Sequence, residues 1–290
     1  MLQSNYYSTV KRVLIVILFL NVGVALAKIT YGYLTNSLSM VSDGFHSFFD
    51  GISNVVGIIG ITIASRPPDK THPYGHSKFE TFAAIGIAIL LFITCFELLK
   101  SAVDRFYNPT TPEITLISFL IMGLTMMVNI GVSWYENKKG DEMGSNILIA
   151  DSKHTRSDIY ASAAVILGFV AIRFGFVIVD PVIAIIIAVL IGKMGIEIIK
   201  DSSGVLLDEV AVDPDRIKDI VCSVEGVDEC HRVRTRGSAA EIYVDLHVTM
   251  SACFSLDEAH NISHNVEEQL KKSIPGINDV VVHIDPCEES

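Results

Sequence analysis

Two histidine–aspartate pairs at four-residue spacing, His46/Asp50 and His154/Asp158, carry the most specific chemistry in this sequence. That spacing stacks both side chains on one face of a helix. Two such faces turned toward each other supply two imidazole nitrogens and two carboxylates. This is a complete ligand set for a tetrahedral divalent ion, and Zn²⁺ fits it best. Both pairs fall in long apolar stretches, where ionisable side chains are functional candidates by default. The plainer alternative is that each histidine hydrogen-bonds a neighbouring carboxylate inside a bundle. Two identical pairs on non-adjacent stretches weigh against it.

Two further clusters use the same residue types. Asp69, His72 and His76 stand at i, i+3 and i+7 in a short loop containing proline and glycine, so they can converge on one ion. Three ligands leave one position open to water; the alternative is a turn with solvated histidines. Near the end of the chain are His231, His247, His260, His264, His283 and Asp285. His283 and Asp285 are two apart on an expected strand and so face one side of its sheet. His231 and His247 fall on neighbouring strands, and His260 on a helix covering one face; solvated surface histidines are the alternative. Of the nine histidines, only His264 has no place in a metal reading.

The elements that must position these residues are of two kinds. Half of the chain is hydrophobic and only 19% is charged, which is ordinary for a protein largely embedded in lipid. Six stretches have the length of membrane-spanning helices, at about 11–33, 39–64, 80–102, 114–136, 150–173 and 177–199. At about 1.5 Å per residue, both His/Asp pairs fall near mid-membrane, and antiparallel spans put His46 level with Asp158 and Asp50 with His154. Lys11, Arg12, Arg66, Lys70, Lys78, Lys138, Lys139, Lys153, Lys193 and Lys200 all fall on one side, against Lys100, Arg105 and Arg173 on the other. The positive-inside rule then places both termini in the cytoplasm. The N-terminus also imitates a signal peptide, with Lys11-Arg12, an apolar run and Ala25-Leu26-Ala27. Cleavage there would put the basic linkers on the wrong side. Asn21, Lys28, Asn54, Glu97 and Asn129 are expected to pack between helices or snorkel to an interface.

After residue 208 the pattern changes. A helix at 213–223, strands at His231–Arg236 and Glu241–Thr249, a helix at Leu256–Lys272 and a strand at Val280–Ile284 predict a small α+β domain. The division is therefore 1–208, an all-α six-helix transmembrane bundle, and 209–290, a soluble lobe. This lobe carries 17 acidic against 7 basic residues, which argues against nucleic-acid binding and suits attraction of cations. The five cysteines show no CxxC pairing and read as reduced thiols in a cytoplasmic setting.

The run Asn36–Asp50 (NSLSMVSDGFHSFFD) and the loop Asp69–Glu80 (DKTHPYGHSKFE) resemble the signatures of the cation diffusion facilitator family, bacterial zinc/ferrous-iron efflux type. The likeness runs from about residue 8 to the end. It implies a ferredoxin-like, metallochaperone-like cytoplasmic domain, a homodimer in the inner membrane, and exchange of cytoplasmic metal for external protons. The resemblance also implies a transport site on His46, Asp50, His154 and Asp158. Some bacterial zinc/ferrous-iron exporters carry Asp where His46 stands; the His-Asp/His-Asp form goes mainly with Zn²⁺ and Cd²⁺, which weakens the case for Fe²⁺. The same resemblance implies a loop-borne metal on Asp69, His72 and His76 in a family subset. It further implies a binuclear site on His231, His247, His260, His283 and Asp285 bridging the dimer, and a charged interlock at Lys78 and Asp208.

Ligand chemistry suggests how such a site cycles. Imidazoles must be neutral and carboxylates ionised to bind the ion, so arrival of metal expels protons. A membrane metalloenzyme fits poorly, because the fourth ligand closes the site and no separate nucleophile or base stands beside it. A passive divalent-metal channel, or a metal sensor without proton coupling, stays open on the residues alone.

Overall fold

The computed structural model describes residues 2–34, 38–107, 116–173, 179–238 and 240–287. Six long helices come first: α1 (Leu2–Leu34), α2 (Leu38–Ala64), α3 (Lys78–Tyr107), α4 (Leu116–Met143), α5 (Asn146–Arg173) and α6 (Val179–Leu206). In lipid a spanning chain must satisfy its backbone polar groups internally, and long uninterrupted helices do so. Among the described residues, Tyr6–Tyr31, Lys78–Asp104 and Pro181–Leu206 are long and apolar enough to cross a membrane, and Gly51–Ala64 of α2 is a shorter apolar helix. α5 is the most polar of the six, carrying Asp151, Lys153, His154, Arg156 and Asp158 within its first half. A helix so charged is stable at membrane depth only when those groups face other helices. Asp151, Ser152, His154, Thr155 and Ser157 are accordingly buried.

Large apolar side chains such as Phe19 and Leu26 of α1, Phe82 and Phe96 of α3, and Ile186 and Val189 of α6 point outward. Lipid tails are as apolar as these side chains, so their exposure carries no penalty there. The helices are held to each other by close packing and by polar contacts. Leu14, Ile61, Ile87, Leu91, Leu148 and Ile191 form a fully buried centre. At Gly60, α2 approaches α3 so closely that a Cβ would lie 2.2 Å from the Ala83 Cβ. Glu80 at the start of α3 accepts from Tyr6 of α1 (2.8 Å) and from Ser145 at the start of α5 (2.6 Å). Lys153 of α5 pairs with Glu197 (3.3 Å) and Asp201 (3.9 Å) of α6.

The chain forms two compact units, Met1–Ser202 and Ser203–Ser290. In the second, α7 (Pro214–Val221), β1 (Glu229–Ser238), β2 (Glu241–Met250), α8 (Leu256–Ser273) and β3 (Ile277–Pro286) follow in order. The sheet order is β1-β2-β3, with β1 antiparallel and β3 parallel to β2. A parallel neighbour requires a crossover, and α8 supplies it. Asp213 caps α7 ahead of Pro214, and Ser255 with Glu258 forms a capping box on α8. Along β2, Ile242, Val244, Leu246, Val248 and Met250 are buried while Tyr243, Asp245, His247 and Thr249 between them are only half-buried. The buried set packs with Ile217 and Val221 of α7 and Val266 and Leu270 of α8 in one core. Both helices therefore cover one face of the sheet and leave the other free. The expected bundle-plus-α+β architecture is the observed one.

Candidate metal centres

The two His/Asp pairs lie on α2 and α5, and these helices touch. His154 is buried and Asp158 half-buried. The side chains of His46 and Asp50 lie outside the described residues, although the backbone of both is helical. One turn beyond Asp50, Asn54 donates its Nδ2–H to Asp151 Oδ2, and Asp151 stands one turn before His154. Antiparallel helices in contact at Asn54 and Asp151 have Asp50 near the level of His154. Asn54 also accepts from Asn21 of α1 at 2.9 Å, and the ammonium of Lys28 on α1 donates to Ser47 at 2.8 Å. These polar residues of α1 and α2 bind helix to helix beside the pairs, as their position in apolar spans led us to expect.

In the loop before α3 the ligand atoms of Asp69, His72 and His76 all lie within 4.8 Å of one another. The turn explains why. Gly75 returns a hydrogen bond to the His72 carbonyl at 2.9 Å, with Pro73 at the second position and Gly75 at φ +87, where a side chain would be strained. Asp69 Oδ1 receives Thr71 Oγ1 (2.7 Å), His72 N (2.7 Å) and Thr71 N (2.8 Å). These donors, the Thr71 hydroxyl foremost, hold the Asp69 carboxyl well below the usual carboxylate range. Its other oxygen, Oδ2, faces His76 Nε2 at 3.4 Å. His76 is buried, lies over Phe79, and keeps Nδ1 enclosed without a hydrogen-bond partner. An anionic carboxylate between two imidazoles in an open loop is chemically suited to one divalent cation.

In the second unit the cluster sits on the face of the sheet that the helices leave free. Strand register places His231 opposite His247 and His247 opposite His283. A bulge in β1, with Arg232 at φ 51, lies directly beyond His231. Asp285 is the hub: Oδ2 lies 2.9 Å from His247 Nδ1 and 3.2 Å from His231 Nε2, while Oδ1 lies 3.3 Å from His283 Nε2. The His247 hydrogen bond, helped by the neighbouring imidazoles, keeps the Asp285 carboxyl below its ordinary value. One carboxylate oxygen thus faces two imidazoles and the other faces a third. His260 is not with them. It is exposed on α8, which packs on the opposite face, and its ring lies 5.4 Å from that of His264.

A buried polar cluster that the residue spacing did not single out lies beside the intramembrane pairs. Glu136 of α4 and Asp151 of α5 are both fully buried, and their carboxyls are within hydrogen-bonding reach of each other. Its two acids lie 15 positions apart on different helices, so nothing in the linear pattern joins them.

A helical membrane bundle bearing paired histidines and aspartates, joined to an α+β domain with a histidine–aspartate cluster, defines a metal-cation transporter by class. The cation efflux transmembrane domain matches residues 14–207, and the cytoplasmic domain of cation efflux proteins matches residues 211–287. The chain belongs to this family, the cation diffusion facilitators, whose members are integral membrane transporters that export divalent metal cations and are not enzymes. It is 33% identical over 280 residues to an uncharacterized transporter of Methanocaldococcus jannaschii, covering 95% of this chain and 98% of that one. A manganese efflux system protein of Bacillus subtilis, MneS, is 29% identical over 90% of each chain. The cadmium, cobalt and zinc/H(+)-K(+) antiporter of the same organism is 28% identical over 95% of this chain and 89% of its own length.

Proposed function

We propose that this protein exports Zn²⁺, and with it Cd²⁺ or Fe²⁺, from the cytoplasm across the inner membrane in exchange for protons, as a homodimer with both termini cytoplasmic. The observation that carries the reading is the α2–α5 contact through Asn54 and Asp151, with buried His154 one turn away. It supports a level meeting of His46/Asp50 with His154/Asp158, four ligands suited to a tetrahedral ion. Neutral imidazoles and ionised carboxylates bind the ion; protonation on the outer side releases it, so the inward proton gradient drives metal outward. Alternating access comes from tilting of helix pairs about the site. The antiporter among the relatives supports proton coupling.

Asp69, His72 and His76 form a loop site for metal, and His231, His247, His283 and Asp285 a cytoplasmic one. His260, on the far face of its own sheet, joins the latter only from a second copy. Lys78 and Asp208 serve as an interlock between subunits, contributing specificity more than stability. Mn²⁺ is a second reading for the cargo, favoured by the manganese efflux relative.

The test is reconstitution in liposomes with metal and protons followed together. Zn²⁺ flux with opposite proton flow, lost in Asp158→Ala, is the expected result. Flux indifferent to the pH gradient would mean a channel-like conductor. Flux that survives in the variant would move the transport site elsewhere, and faster Mn²⁺ than Zn²⁺ flux would reassign the cargo.

A further inference from the structure

From the buried acids between α4 and α5 we infer that Glu136 and Asp151 share one proton and form a proton-carrying station separate from the metal ligands. Glu136 Oε2 accepts from Thr155 Oγ1 at 3.1 Å, and Asp151 Oδ2 accepts from Asn54. The remaining oxygens, Glu136 Oε1 and Asp151 Oδ1, are enclosed and receive no donor. Buried carboxylate oxygens left bare are strongly destabilising, and two carboxyls within hydrogen-bonding reach cannot both stay ionised. A single proton between them satisfies both.

The described lysine and arginine side chains of the flanking helices have other partners. On α5, Arg156 turns to Asn137 (3.4 Å) and Lys153 to Glu197 and Asp201. On α1, Lys28 is bonded to Ser47, and Asn21 reaches only Asn54. On α3, Glu80 is held by Tyr6 and Ser145. On α2 the facing group is the neutral amide of Asn54; the side chains of His46 and Asp50 lie outside the described residues.

The coupling, which rests on the antiport reading above, follows from the position of Asn54. If α2 parts from α5, Asp151 loses its donor and water enters. The pair then ionises and its proton passes to water. Closing the helices again requires a proton to return to the pair, from whichever side is then open. One turn from His154, the pair would thus tie the approach of α2 and α5 to a proton that no metal ligand holds.

Glu136→Gln tests this with a built-in mimic, since the amide oxygen keeps the Thr155 bond and its N–H replaces the shared proton. In the full-length protein, infrared spectroscopy at neutral pH should show a protonated-carboxyl band that shifts in D₂O and disappears in Glu136→Gln. In liposomes the variant should bind Zn²⁺ with unchanged affinity but exchange about one proton fewer per ion. Absence of the band in the wild type, or an unchanged proton count in an active variant, overturns the inference. So does an extra equivalent of metal bound by the wild type and lost in the variant, which would put a cation between the acids. If the wild type moves no protons at all, the antiport reading falls while the band still decides the shared proton. Should Glu136→Gln not fold, Asp151→Asn and the wild-type band decide it.

Discussion

At the scale of single residues, the carboxylates of the loop cluster and of the α+β-domain cluster are both held in the ionised form by their neighbours. Asp285 is held below its ordinary value near 3.8, chiefly by the His247 hydrogen bond. What this bond contributes to the folded, metal-free protein is present above that value and lost only as pH falls through the lowered one. Asp69, held down by Thr71 and the His72 backbone, behaves the same way. Neither acid therefore competes for protons between neutrality and pH 5. We expect Zn²⁺ affinity of the His231/His247/Asp285 cluster to fall as pH drops below the imidazole range. Its slope should approach about two decades per pH unit, one for each histidine. Competition titrations with a chromophoric chelator on a variant lacking the loop and transport ligands give that slope; a value near three would mean that a third ligand, His283 or Asp285, also exchanges a proton.

At the scale of elements, close approach between helices decides more than apolarity does. At Gly60, α2 lies against α3 with no room for a Cβ beside Ala83. Gly60→Leu should force the helices apart at a cost of about 1–3 kcal/mol, lowering the melting temperature in detergent and slowing transport. Enlarging outward-facing Ile59 to Phe should do neither. Much of this level was legible in the sequence, because apolar runs bounded by basic residues mark helices well, and alternation marks β2 almost residue by residue. The helix ends were less legible. The expected span at 11–33 is part of a helix running Leu2–Leu34, because residues outside the apolar zone continue the same backbone hydrogen bonds. The strand expected at His231–Arg236 runs Glu229–Ser238, and its bulge has no mark in the composition. Spacing within one helix singled out His154 and Asp158 as candidates. The Glu136–Asp151 pair stayed hidden because it forms only when α4 packs on α5.

At the scale of the whole molecule, the charge of the cytoplasmic domain bears on assembly. With 17 acidic and 7 basic residues from Glu209 onward, two copies brought together repel each other until cations intervene. The His231/His247/His283/Asp285 face is not covered by its own helices, and the proposed contribution of His260 comes from the second copy. Metal held there would both neutralise charge and add ligand bonds that exist only in the dimer. Binding linked to one state stabilises it by about 2.7 kcal/mol per site at a hundredfold excess over Kd, so Zn²⁺ should tighten dimerisation by roughly a hundredfold for each such site. The expected outcome is a dimer whose dissociation constant, measured by energy transfer between labelled protomers in detergent, rises on chelation and more steeply at low salt. Removing His247 and Asp285 together should abolish the metal dependence and leave the salt dependence. If the double variant still tightens with Zn²⁺, the metal acts elsewhere. If transport proceeds at the wild-type rate in that variant, the cytoplasmic cluster does not regulate export, and its ligands serve only to hold metal on the way to the membrane site.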